Sequence, residues 1–160
     1  MQHSSIQEAI IQLLSGCDQA TVLDLVFDLE QRGITFKRDE CDYWKGKHYY
    51  WGLLNEQCVC FISIMNPEEP ANRWTVWTDD MDSALLDDPY AEQSIKEAAW
   101  KYADHCSHCG SCSGGRYKMI YGIPFTDICG CTFRMDNPTP TDLVFLKKML
   151  TLRLNQAKSL

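Results

Sequence analysis

The chain contains no apolar run long enough to cross a bilayer, and its longest such run lacks flanking basic residues, so no membrane partner is expected. Its first residues, Met1-Gln2-His3-Ser4-Ser5, carry neither a basic n-region nor an apolar h-region. No secretory signal is therefore expected, and a cytoplasmic location follows. Low-complexity segments and internal repeats are absent. Positive charge is scarce too: 15 Lys and Arg stand against 22 Asp and Glu, for a net charge of −7. The acids gather in Asp79-Asp80-Met81-Asp82 and Asp87-Asp88, a surface that repels phosphate backbones and excludes a nucleic-acid partner. Gly114-Gly115-Arg116 lacks the Lys-Ser/Thr ending of a phosphate loop, and the acidic run lacks calcium-loop spacing, reading instead as a solvated face. Spacing alone locates no Ser/His/Asp or paired-acid constellation, so the expectation is a protein that is not an enzyme.

What is present is enough for a packed core: 160 residues, 45% hydrophobic, with five tryptophans and no strong linker. The whole span 1–160 reads as a single α+β domain with a Cys-rich loop at 105–115. Residues 4–15 have helical periodicity in Ile6, Ile10, Leu13 and Leu14, with Ser5 and Glu8 at capping-box spacing and Gly16 placed to end the helix. A second helix is expected over 19–32, with Val22, Leu25, Val26 and Leu29 on one side and Gly33 as its stop. From Ile34 the period falls to two. Strands are expected at 34–36, 47–54, 58–65 and 73–78, with Asn55-Glu56 as a tight turn. Asp88-Pro89 reads as the start of a middle helix reaching about Asp104. Two more strands follow at 115–121 and 128–135, and in the second strict alternation puts Cys129, Cys131, Phe133 and Met135 on one face. Thr139-Pro140-Thr141-Asp142 opens a C-terminal helix carrying Leu143, Leu146, Leu150 and Leu154, with Lys147, Lys148 and Arg153 left to water. Short connections favour an antiparallel sheet of about five or six strands, with two N-terminal helices, one middle helix and one C-terminal helix. The aromatics of 47–54 and 73–78 are expected to pack against helices.

The sharpest signal is cysteine. Nine are present, and in a reducing compartment they read as thiols or metal ligands. His105-Cys106-Ser107-His108-Cys109-Gly110-Ser111-Cys112 puts three cysteines at x2 spacing with two interleaved histidines, and the pair Cys129 and Cys131 arrives after sixteen intervening residues. Cys106-x2-Cys109-Gly110 has the form of a zinc knuckle, where glycine lets backbone N–H groups turn toward sulfur. Cys106, Cys109 and Cys112 need a fourth ligand, for which Cys129 is the first choice and Cys131 its rival; His105 or His108 are local substitutes. A regular strand keeps Cys129 and Cys131 about 6.6 Å apart, further than the roughly 3.8 Å between two sulfurs on one zinc, so they bind together only across a bulge at Gly130. Simple hairpin pairing of 115–121 with 128–135 also sets Cys129 away from Cys112. The site then closes only if those strands are not neighbours or the loop folds back over the sheet. Zinc is the expected metal. An iron–sulfur cluster is the alternative, disfavoured because the run lacks the Cys-Pro of ferredoxin cluster loops.

Trp44-Lys45-Gly46-Lys47, the 58–65 strand, Gly114-Gly115-Arg116-Tyr117 and the closing Leu-Lys-Lys-Met-Leu-Thr-Leu-Arg helix resemble small uncharacterised bacterial proteins of the YdhG-like kind. The Cys-rich insertion before the glycine pair resembles a variant in hypothetical proteins of anaerobic Firmicutes. The resemblance spans about 34–154 and implies a curved antiparallel sheet with helices packed against it. It implies no activity and no functional residue. Three functions remain in view. The first is a non-enzymatic domain with a structural zinc that binds a protein partner or small ligand. The second is an iron–sulfur or thiol-based redox protein. The third is an effector-binding module whose aromatic-lined pocket takes a small apolar ligand.

Overall fold

The computed structural model describes residues 5–158. Ser5 caps the first helix, α1 (Ile6–Leu13), in both directions: its hydroxyl accepts from the Glu8 N–H at 3.2 Å, and the Glu8 carboxylate accepts from the Ser5 N–H at 3.1 Å. Ser4, the expected first residue of this helix, lies outside the described residues. Gly16 is left-handed at φ +56°, yet it opens α2 (Gly16–Gln31) rather than closing α1, because the chain has already turned extended at Leu14. Gly33, at φ +91°, follows α2 as expected.

Four strands then meander: β1 (Thr35–Arg38), β2 (His48–Leu54), β3 (Gln57–Ile64) and β4 (Trp74–Thr78). Asn55 and Glu56 sit at φ 49° and 67°, the consecutive left-handed pair that a two-residue hairpin needs. Asp88 does not start the middle helix. Its carboxylate accepts the Tyr90 N–H at 2.9 Å, a local turn that competes with helix, and α3 begins later, at Gln93–Tyr102. The chain then passes directly into a strand, β5 (Ala103–His105), so the Cys-rich loop leaves a strand end and not a helix end. A hairpin of β6 (Arg116–Ile120) and β7 (Ile123–Asp136) follows, and α4 (Asp142–Lys158) closes the chain behind a Thr139–Asp142 capping exchange.

All pairings in this α+β fold are antiparallel, with order β1-β2-β3-β4-β7-β5 and β6 also on β7. The sheet has seven strands; β5, three residues with no periodicity to announce it, is the additional one. One continuous core lies on the helical face, where Tyr50, Ile62 and Trp74 of the sheet join Ile10, Leu25 and Leu150 of the helices. The Leu143, Leu146, Leu150, Leu154 stripe is buried as expected. Arg153 is buried with it, against expectation. Its guanidinium donates to the Cys58 carbonyl at 2.8 Å and to Asp79 Oδ2 at 2.9 Å, which lets a charge stay inside while the stem packs.

The aromatics divide by alternation. Tyr50 and Trp74 meet helices, whereas Tyr49, Trp51, Phe61 and Trp77 belong to the other face and lie outside that core. The 39–47 segment covers them in place of a helix: Trp44 stacks flat on Tyr49 at 4.0 Å, and Tyr49 meets Phe61 and Trp77 at 5.8 Å. Trp51 stays 36% exposed. In β7, Thr132 adopts φ +60° and breaks the alternation. Ile128 and Thr132 point inward before the break and Phe133 and Met135 after it, so Cys129 and Cys131 do not share a face with Phe133 and Met135.

Gly52 is closely packed under the sheet: a Cβ there would stand 2.5 Å from Sγ of the fully buried Cys60. Gly52→Ala should therefore cost about 1–3 kcal/mol in urea unfolding. Adding Cys60→Ala should recover part of that loss; a double variant no more stable than Gly52→Ala would contradict this packing.

Candidate metal centre

Ile128 is paired on both sides of β7, with His105 of β5 on one edge and Arg116 of β6 on the other. Two strand spacings separate those edges, about 10 Å. Residues 106–115 join them, so the Cys-rich loop has to cross the face of β7 as a strap. Ile128 points into the core, and its neighbours Asp127 and Cys129 therefore lie on the side that the strap crosses. The hairpin geometry that sets Cys129 away from Cys112 assumes a strand starting at 128. Strand β7 starts at Ile123 instead, which puts Cys129 beside the point where the strap enters β6.

Two contacts pin the crossing. The Cys106 N–H donates to the Asp127 carbonyl at 2.8 Å. At the far end a Cβ on Gly115 would collide with the Asp127 carboxyl group, so glycine is what lets the strap lie down. Gly114 (φ +114°) and Gly110 (φ +83°) supply the left-handed corners. Beyond the strap, Arg116 and Lys118 donate to Asp80 at 2.9 and 2.7 Å, and Lys118 also donates to the Met81 carbonyl at 2.7 Å. The acidic run is thus partly an internal counter-charge and not wholly a solvated face.

Under the strap is a hollow of about 220 Å³ whose lining includes Cys106, His108, Cys109, Cys112 and Cys129. All four cysteines expected to bind metal are therefore in one place. They do not converge equally. Among the described residues, one set of three metal-type donors comes within 4.8 Å of one another: Cys106, His108 and Asp127. The Cys109 thiol faces the Ser111 hydroxyl at 3.4 Å and the Cys112 thiol the Gly114 carbonyl at 3.6 Å. His105 has its ring 6.0 Å from Phe125 and is not part of the lining. Cys131, the rival fourth ligand, is also outside the lining. His108 was expected only as a substitute ligand, and Asp127 not at all. The one trace of Asp127 in the sequence is the Gly114-Gly115 pair, since glycine is needed where backbone passes close to a side chain.

The thiols differ in readiness. Hydrogen bonds from the Ser111 side chain and backbone hold Cys109 below the ordinary thiol range. Burial, reinforced by the nearby Asp104, pushes Cys129 up, and burial with Cys129 alongside pushes Cys131 up further. Cys58 is raised by burial and Asp79, and Cys60 is pushed up to about 12 by burial. A cation beside Cys129 would favour its thiolate against that burial.

No family model matches the chain, and neither a curated protein nor a solved structure matches it.

Alkylation of the reduced, metal-free protein should follow these environments. Cys109 should be labelled first by iodoacetamide, and Cys60 and Cys131 last, as read by peptide mass spectrometry. Labelling of Cys131 ahead of Cys109 would contradict the environments described.

Proposed function

We propose that this is a non-enzymatic binding domain stabilised by a zinc ion held under the 106–115 strap by Cys106, Cys109, Cys112 and Cys129. The observation that carries the reading is the hollow itself, where a ten-residue loop crosses a strand and four cysteines line one space. The strap has little apolar surface to hold it: Cys109 and Cys112 are exposed, and Cys106 is half-buried. An ion bound to both strap and strand would supply the cross-link that packing does not. Zinc is favoured over an iron–sulfur cluster because an imidazole and a carboxylate stand among the thiols, donors that suit zinc. A cytoplasmic location belongs to the same reading: all nine cysteines are free, and among the described residues no helix is long and apolar enough to cross a membrane.

Reduced protein should bind about one zinc per chain, and a chelator should then lower its melting temperature by several degrees. Cys106→Ser, Cys109→Ser and Cys112→Ser together should bind none and should melt alike with and without chelator. Identical melting of the parent chain in both conditions, together with no bound metal, would remove the reading.

For the binding partner, the outer aromatic face is the favoured surface. It is covered by a loop instead of a helix, and it leaves Tyr43 59% and Trp51 36% exposed. Lys47 sits 4.0 Å over the Tyr43 ring and Arg134 5.1 Å over that of Trp77, so rings and cations alternate there. A small apolar ligand or an aromatic side chain of a protein suits such a surface. Binding there should change tryptophan emission, and Trp51→Ala should weaken binding by about 1–3 kcal/mol. A ligand that binds while Trp51→Ala leaves its affinity unchanged would place the binding surface elsewhere.

A further inference from the structure

We infer that the site carries a fifth donor: His108, backed by Asp127, shares the fourth coordination position with Cys129, so that the bound ion always has a spare ligand beside it. The inference rests on the metal reading above and concerns how the ion is exchanged.

The geometry comes from three residues. His108 Nδ1 stands 3.9 Å from Cys106 Sγ. A sulfur at about 2.3 Å and a nitrogen at about 2.0–2.1 Å from one tetrahedral zinc lie about 3.6 Å apart, so this pair is nearly at the spacing of two ligands on one ion. The His108 N–H donates to the same sulfur at 3.4 Å, which holds the residue over Cys106 in its left-handed conformation, φ +55°. The other ring nitrogen, Nε2, faces Asp127 Oδ2 at 3.7 Å. A carboxylate behind the distal nitrogen is how metal-binding imidazoles are ordinarily oriented and made more basic. Asp127 is a suitable anchor. It belongs to β7, its carbonyl accepts from Cys106, and its carboxyl group occupies the space that Gly115 leaves.

Cys129 lies two residues along the same strand and also borders the hollow. Strand β7 thus supplies the fourth position twice, directly through Cys129 and indirectly through Asp127 and His108. With Cys109 and Cys112 on the same lining, the hollow offers five donors for four positions. An ion so placed can change one ligand for another without passing through a three-coordinate state. His108 is 75% exposed, so the exchangeable position opens to solvent. The chemistry that could take up the ion there is a thiolate or imidazole of an acceptor protein, or a small chelator.

The test is metal competition against a chromophoric chelator, with Co(II) and Zn(II), on the full chain under reducing conditions. Cys129→Ser should keep the metal within about 10-fold of the parent affinity, and its Co(II) visible bands should move to shorter wavelength as an imidazole replaces a thiolate. Joining His108→Ala to Cys129→Ser should weaken binding at least 100-fold, far more than the two single effects combined. Asp127→Asn in the Cys129→Ser background should weaken binding about 10–100-fold without moving the Co(II) bands, the behaviour of a positioning residue. His108→Ala alone, an exposed change that leaves the core intact, should slow zinc release to the chelator several-fold. A double variant that binds as tightly as Cys129→Ser, or an unchanged release rate in His108→Ala, overturns the inference and leaves the metal reading standing. A parent chain that takes up neither ion overturns both.

Discussion

The crossing of β7 by the 106–115 strap is the constraint on which the site depends. Strand β7 is paired on both edges at Ile128, so the chain between β5 and β6 can get from one edge to the other only over a face. The inner face is filled by the core, which leaves the outer one. The bond from the Cys106 N–H to the Asp127 carbonyl fixes where the strap departs, and the missing side chain at Gly115 permits its landing. Everything chemical in this region follows from that path. The cysteines need no helix or strand of their own to meet Cys129, because the strand beneath brings it to them.

The same outer face carries the second feature of interest. Tyr49, Phe61 and Trp77 lie there under Trp44, in the place a layer of helices would otherwise take. The Cys-rich strap and the aromatic cover are thus loops on one side of the sheet, while the helices pack the core on the other. The packed core and the proposed binding surface thus lie on opposite faces. Changes to the outer loops leave the inner core of Ile62, Trp74 and Leu150 intact, so variants of the site can be studied in a folded chain.

Much of the fold was legible in the sequence, and the exceptions have physical causes. The Ser5 capping box, the Asn55-Glu56 turn, the six longer strands and the Leu143–Leu154 stripe all rest on local rules, and each is present. Strand β5 was not legible, because three residues have no period; its pairing with β7 holds it. Asp88 looked like a helix start and makes a tight turn instead, since one carboxylate can serve either. Arg153 looked solvent-bound because a basic residue at the edge of an apolar stripe usually is, and nothing local announces Asp79 as its partner. The faces of β7 were misread because a left-handed Thr132 is invisible to a period-two count. Spacing put Cys106, Cys109, Cys112 and Cys129 forward as a group, and they line one hollow, whereas no spacing announces Asp127, which only the crossing brings near His108.

The site is proposed to hold one zinc ion in the hollow under the strap. The most direct test of this proposal is elemental analysis of protein purified anaerobically in reducing buffer, with the visible spectrum recorded on the same sample. About one zinc per chain and a colourless solution are expected. A brown protein with iron and sulfide in stoichiometric amounts would contradict the proposal in favour of a cluster, and a reduced, folded protein with no metal that takes up none on adding zinc would contradict it outright.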